Sequence, residues 1–379
     1  MLYPPRHGFE VNMSVHTVRP GETPASFAAR FSMSADELAR LNRLGDPHRL
    51  TAGLALAVPG RGGARGKAVI LNCLASSADG IGAGELLEES SFVCCGSCRV
   101  TAEGGAEAPR GAALVRAALC AGAAPLLCLV NVGPEGAFSP RLAHALLSDG
   151  DAQERLLRRV CALAAERGFL GAELCFQYLL PFDGEAMARF VSLAARRLHE
   201  SGLYLLTALC PEGGARAEDC FSAAAEEADY VSVLCRGGGD PYSEPQPLSP
   251  LRAQREALET AARLAPREKL LLASSGCGCS WPLGGGEGEL VPPSAAAALA
   301  VSTRSRIRYE PADAAAHFRY VGAAGEEREL WYEDARAESA RLSLIRSVGA
   351  AGLSVRRADP ADAASLLARR ELCRAEKFI

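Results

Sequence analysis

Tryptophan and methionine are scarce, with two and four residues in 379. Charge of either sign has no surplus to speak of: 41 lysines and arginines stand against 45 aspartates and glutamates, for a net charge of −4. Without a basic excess the chain has no electrostatic footprint for nucleic acid. It also lacks a run able to cross a bilayer, because the most apolar window, residues 114–132, contains Arg116, Gly122 and Pro125. The opening Met-Leu-Tyr-Pro-Pro-Arg-His does not have the charged-then-apolar layout of a secretory signal, which points to synthesis in a cytoplasm. The glycine-rich stretch at 284–288 follows no strand–loop–helix order, so a phosphate cradle is excluded and no cofactor is expected.

Cysteine is plentiful at fourteen, yet its spacing lacks what a zinc site needs. Cys94-Cys95-x-x-Cys98 and Cys277-x-Cys279 have neither the paired C-x-x-C nor histidine partners, so no metal is expected. Most of these cysteines, such as Cys73, Cys128, Cys175, Cys210 and Cys235, fall inside apolar runs and read as small buried hydrophobes of a reducing compartment. A soft-metal or redox cluster at the strand ends is the rival reading. His144 and His199 lie on helical stretches with no partner at metal spacing and read as structural.

The informative stretch is residues 170–180, Leu-Gly-Ala-Glu-Leu-Cys-Phe-Gln-Tyr-Leu-Leu, between a helical run ending at Gly168 and Pro181. That setting makes it a strand of an α/β repeat. Alternation puts Glu173, Cys175 and Gln177 on one face. Strands of buried parallel sheets are normally apolar throughout, so this polar line marks a functional site at a strand's carboxyl end.

From Lys67 onward strands and helices alternate. Strands begin near Ala68, Ser91, Pro125, Gly171, Tyr204, Tyr230, Lys269 and Ala351, and helical patterns cover 109–121, 151–167, 183–201, 250–265 and 334–348. Eight strand–helix units over about 310 residues is the size of a (β/α)8 TIM barrel. Residues 281–335, between the seventh and eighth strands, break the rhythm with short β-like pieces and read as a small α+β insertion. The barrel is therefore assigned to 67–379.

Ahead of it, 61–66 reads as a flexible linker and 14–60 as a separate strand–helix–helix–strand unit. Thr23 and Pro24 start its first helix, and Ser34 with Glu37 makes a capping box at the second. His16-Thr17-Val18, Pro20-Gly21-Glu22-Thr23, Phe27, Leu41-Asn42 and Leu56-x-Val58-Pro59 resemble a LysM module. That resemblance implies a groove for N-acetylglucosamine-containing glycans, peptidoglycan or chitin. It lies between Gly21, Glu22, Thr23 and Pro24 on one side and Asp46, Pro47, His48 and Leu50 on the other.

The 170–180 strand is similar to the fourth-strand signature of family-18 glycoside hydrolases. Residues 131–147 and 266–269, together with Ser280-Trp281-Pro282-Leu283 and residues 331–336, resemble the branch of spore cortex-lytic N-acetylglucosaminidases. In that family the substrate's acetamide is the nucleophile, a glutamic acid protonates the leaving oxygen, and an aspartate orients the acetamide. Under the resemblance Gln177 stands at the acid, Cys175 at the aspartate and Glu173 at an Asp/Asn position. Tyr178, Arg236, Trp281 and Arg356 line the cleft, with Arg236 replacing a tyrosine and Arg356 the tryptophan that floors the sugar site.

An amide cannot surrender a proton, and a missing acid alone removes roughly 10²–10⁴-fold in rate. Glu173 lies four residues from Gln177, roughly 13 Å deeper along the strand, too far to serve the same bond. The sequence therefore reads as a glycan-binding protein of the spore or cell envelope with an inactive barrel. An active N-acetylglucosaminidase is the alternative, and a cysteine-based metal or redox barrel the second.

Overall fold

The computed structural model describes residues 13–59, 68–75, 83–107, 109, 112–212, 215–357 and 363–379. The expected linker at 61–66 lies outside them. The chain begins with a two-stranded antiparallel pair, β1 (Met13–Thr17) and β2 (Ala55–Pro59), enclosing the helices Pro24–Arg30 and Ala35–Asn42. Both helices start as their side chains dictate. Thr23 Oγ1 accepts from the Ser26 amide at 3.2 Å, and Ser34 and Glu37 form the reciprocal capping box.

Asn42 ties the second helix to β2. Its Nδ2 donates to the carbonyls of Leu38 (3.0 Å) and Ala57 (2.9 Å), and its Oδ1 accepts from the Ala57 amide at 2.7 Å. Asn42→Ala strands a buried N–H and a buried C=O on one strand residue. It is expected to cost about 2–3 kcal/mol, seen as faster amide exchange along β2 than along the barrel strands.

The barrel follows. Its strands are β3 (Ala68–Ala75), β4 (Phe92–Val100) with a short antiparallel appendage β5 (Ala106–Glu107), β6 (Ala124–Val130), β7 (Gly171–Cys175), β8 (Tyr204–Leu209), β9 (Tyr230–Val233) and β10 (Leu270–Ser274). An insertion sheet comes next, formed by β11 (Gly278–Pro282), β12 (Glu289–Val291), β13 (Arg308–Glu310), β14 (Ala315–Val321) and β15 (Glu327–Tyr332). The last barrel strand, β16 (Gly352–Val355), pairs with β3 and β10, and β3 also pairs with β4, so eight parallel strands close on themselves. A final two-residue strand, β17 (Arg374–Ala375), lies beside β3. This is the (β/α)8 architecture, with the helices packed on the barrel's outer face through residues such as Leu156, Phe190, Leu258 and Ile345.

The barrel interior changes character along its axis. At the amino end of the strands, Phe92, Tyr204 and Tyr230 converge on Phe378 from the chain terminus, with ring centroids 5.1–6.3 Å from the Phe378 ring. Apolar residues including Leu126, Leu206 and Leu271 fill much of the middle, where Glu173 stands at the centre of β7 in register with Leu206. No helix among the described residues is long and apolar enough to cross a membrane.

The N-terminal unit is docked onto the insertion. Val18, Phe27, Leu38, Leu56 and Val58 share one core with Ala296, Ile307, Phe318, Leu330 and Tyr332. The Ile307 amide donates to Ala52 O at 2.9 Å and Thr51 Oγ1 to Ser305 O at 2.6 Å. At Gly53 (φ +90°) a Cβ would lie 1.9 Å from Ile307 O, so only glycine permits that approach. Ion pairing of Arg43 with Glu85 adds a contact to the barrel itself.

Candidate functional site

The polar line read on the 170–180 strand becomes a buried ion pair. Strand β7 ends at Cys175, and the Glu173 side chain points into the closed barrel with no exposure. Arg356, one residue past β16, reaches down the barrel axis so that its Nη1 donates to both carboxylate oxygens, at 2.7 and 2.8 Å. Asn72 Nδ2 (3.2 Å), Ser232 Oγ (3.0 Å) and Cys94 Sγ (3.2 Å) donate to the same carboxylate. Ser354 completes the layer, its Oγ 2.9 Å from Ser232 Oγ and accepting from Asn72 Nδ2 at 3.3 Å. Thus β4, β7, β9 and β16, alternate strands around the barrel, give Cys94, Glu173, Ser232 and Ser354 to a single layer, and Asn72 joins it from β3, the neighbour of β16.

Burial alone would push the Glu173 carboxyl up. The Arg356 charge and its hydrogen bonds, with those from Cys94 and Ser232, override this and hold it below the usual carboxylate range. Arg356 Nη2 lies 3.1 Å from Cys175 Sγ, and the thiol nonetheless stays protonated. Its hydrogen bond with Cys128 and its burial move its pKa well above the ordinary thiol value. Cys94 behaves alike. Its contact with Cys128 favours the thiolate, but burial and the Glu173 charge prevail and lift it to about 12. Position 175 therefore supplies no negative charge. Cys94, Cys128 and Glu173 do bring three potential metal donors within 4.8 Å of one another. Protonated thiols beside a guanidinium already bound to the carboxylate are a poor donor set for a cation.

Gln177 stands just beyond the strand, where its main chain is clamped. Asn131 Oδ1 accepts from its amide at 2.9 Å, and Asn131 Nδ2 donates to its carbonyl at 2.9 Å. Its side-chain amide faces Cys175 Sγ at 3.5 Å. Tyr178 takes the left-handed conformation (φ 54°), which throws its ring outward to 66 % exposure, 6.0 Å from Phe138. Arg236 is exposed, and its amide donates to Glu212 Oε2 at 3.0 Å.

Two expectations need correction. Trp281 does not line the cleft: it is 1 % exposed, with Nε1 donating to Asp240 O at 3.2 Å, and Gly288 presses so close that a Cβ there would meet the indole at 2.7 Å. The indole is consumed in seating β11 against the Asp240 loop. Arg356 does not form a flat floor for a sugar, because its guanidinium is drawn inward by Glu173. His144 and His199 carry structural pairings, with Asp183 at 2.7 Å and Asp229 at 3.1 Å. Trp331 stacks on His317 at 4.1 Å within the insertion sheet.

Several participants were not read from the sequence. Asn72, Ser232 and Ser354 each interrupt an apolar strand with a single polar residue, the same signal that singled out Glu173, but only one per strand. Asn131 and Glu212 lie just past the carboxyl ends of β6 and β8, where such strands deliver functional groups.

In the N-terminal unit, Glu22 accepts from the Arg19 amide at 2.8 Å and from His16 Nε2 at 3.1 Å, and Thr23 exchanges hydrogen bonds with Ser26. Across from them, Asp46 Oδ1 accepts from the His48 amide at 2.8 Å and Oδ2 pairs with Arg49 at 3.1 Å. Pro24 and Leu50 are half-buried, whereas Gly21 and His48 are exposed. The two loops are thus held internally, leaving their outer faces open.

Residues 16–59 match the LysM domain family. The cortical fragment-lytic enzyme of Bacillus subtilis is 31% identical over 240 residues, covering 60% of this chain and 56% of that protein. The enzyme of the same name from Bacillus anthracis is 28% identical over 242 residues, covering 61% and 55%. The chain thus spans little more than half the length of these curated relatives. Among solved structures, the spore cortex-lytic enzyme SleL of Bacillus megaterium superposes with a TM-score of 0.85 at 23% identity, covering 96% of this chain and 99% of that one. A chitinase from Chromobacterium violaceum gives 0.71 at 22% identity, covering 80% and 98%. The protein is therefore a LysM domain followed by a barrel with the fold of these glycosidases.

Proposed function

We propose that this protein binds N-acetylglucosamine-containing glycan, peptidoglycan or a chitin-type chain, through its LysM groove, and that its barrel does not cut the glycan. The relatives' association with the spore cortex supports a place in the spore envelope. One observation carries the non-hydrolytic reading: the carboxylate of the catalytic-type strand is locked beneath Arg356, and an amide stands where an acid would donate a proton. Glu173 can neither reach a bridging oxygen nor give up a proton at neutral pH.

The test pairs a pull-down with a turnover assay. The full chain is expected to pellet with purified peptidoglycan and to release reducing sugar at the level of a boiled control. Replacing Pro47 and His48 by alanine is expected to weaken pelleting by about tenfold, since both lie on the open side of one loop. Deleting residues 1–60 is the poorer experiment, because it would uncover Ile307, Phe318 and Tyr332. Unchanged pelleting by the loop variant overturns the groove assignment. One observation favours an active hydrolase as second reading: Glu212 stands on the rim beside Arg236, joined to it through only one carboxylate oxygen. Turnover that disappears in Glu212→Gln would establish that reading.

A further inference from the structure

A pocket of about 590 Å³ opens where the N-terminal unit meets the insertion, outside the barrel cleft. One wall is β1 with Arg19 and Pro20, and the other is the segment 306–309. The lining includes Arg19, Arg306, Arg308 and Arg336 and not one aspartate or glutamate. In a chain of net charge −4 such a wall is a local inversion of sign.

The four arginines divide by what they already do. Arg336 is spoken for: it pairs with Asp334 at 2.6 Å and its guanidinium lies 4.3 Å from the Tyr309 ring centroid, forming a rigid cationic back wall. Arg19, Arg306 and Arg308 are exposed and, among the described residues, pair with no carboxylate. The segment bearing two of them is fixed, because Ile307 is buried at 3 % exposure and bonded to Ala52 O. Alternation then sends Arg306 and Arg308 away from that core on the same side. Three fork-shaped donors held around one concavity, with no internal partner, suit planar carboxylates.

Position says what would bring the carboxylates. Arg19 and Pro20 immediately precede the groove loop that starts at Gly21, and Ala52 and Gly53 follow closely on the opposite loop that ends at Leu50. The pocket thus adjoins the two groove loops in the chain, through Arg19–Pro20 and Ala52–Gly53, and its volume falls within the range of small-molecule sites. Resting on the reading of the groove as a glycan site, we infer that this pocket is an acid subsite, which takes carboxylates carried by the glycan seated in the LysM groove. The N-terminal unit and the insertion each supply half of it. The protein thereby distinguishes acid-bearing glycan from neutral chitin-type chains.

The test is calorimetric titration of the full chain with three probes: a peptidoglycan disaccharide–tetrapeptide with free carboxylates, the same compound with its carboxylates amidated, and chitotetraose. The free acid is expected to bind about tenfold more tightly than the amide, an advantage that shrinks with added salt. Replacing Arg306 and Arg308 by alanine is expected to erase that advantage while chitotetraose binds as before; replacing both by lysine should keep part of it. Both residues are exposed, and an unchanged Tm would show the variants folded. Equal binding of acid and amide by the parent chain overturns the acid subsite and leaves the glycan reading standing, as does an equal loss for all three probes in the alanine variant. Failure of the parent chain to bind any of the three probes would instead overturn the glycan reading, and the subsite with it.

Discussion

Arg356→Met is expected to destabilise the protein by about 3–5 kcal/mol at neutral pH, read as a lower urea midpoint with an unchanged slope. The loss comes less from the missing attraction than from the carboxylate left behind. Glu173 has no exposure, and without Arg356 only neutral donors face it. Adding Glu173→Gln is expected to recover most of the loss, since an amide keeps the hydrogen bonds and removes the stranded charge. The pH dependence gives an independent check. In the parent chain the Glu173 carboxyl is held below its ordinary range, so the pair's contribution is complete above the unfolded value of about 4.3 and disappears as pH falls through the lower folded value. In Arg356→Met only the hydrogen bonds from neutral donors such as Cys94 and Ser232 oppose burial, and the carboxyl moves above that range. The penalty is then present at neutral pH and is relieved as acid protonates the group. The stability gap between parent and variant should therefore narrow as pH drops toward and below about 4.3. A gap constant with pH, or a double variant no more stable than the single, would mean that Arg356 supports the fold in some other way.

What could be read in advance follows the reach of each physical signal. The strands of the barrel announced themselves through period and punctuation, and the capping box at Ser34 marked a helix start to the residue. Local chemistry sets these features, so the sequence carries them openly. The polar line of Glu173, Cys175 and Gln177 was equally visible, because three consecutive inward positions of one strand were out of character. The sequence puts Arg356 at the right strand end but does not give the direction of its side chain. Its direction depends on a carboxylate 183 positions away in the chain, and nothing local reports that partner. Asn72, Ser232 and Ser354 escaped for the same reason: one serine in an apolar strand is unremarkable until closure gathers four such strands into a layer. Trp281 failed differently. A rim tryptophan can face a ligand or a neighbouring loop, and only the approach of Gly288 and Asp240 decides between them. The acid subsite was invisible because its arginines come from both ends of the chain.

Restoring the absent acid should not by itself restore hydrolysis. Gln177→Glu with Cys175→Asp installs both carboxylates of the family-18 pattern, yet the double variant is expected to show at most weak turnover of chitotetraose. The reason is geometric: Arg356 Nη2 already lies 3.1 Å from the position 175 sulfur, so a new carboxylate there becomes its partner and is taken from the work of orienting an acetamide. Freeing it requires Arg356 to go, and removing that charge alone would strand Glu173. The informative variant therefore adds Arg356→Trp and Glu173→Asn, which replaces the guanidinium by an aromatic face and deletes its buried counter-charge together. This fourfold variant is expected to exceed the double one by roughly 10²–10³-fold, the scale of one freed group that stabilises transition-state charge. The clamp of Asn131 on the Gln177 backbone already fixes the acid's starting point, so no loop has to be rebuilt. If the fourfold variant folds and binds chitotetraose but remains silent, the lost acid is not what keeps this barrel from cutting. If the parent chain itself releases sugar above the boiled control, the proton comes from elsewhere, and Glu212 is the first residue to replace.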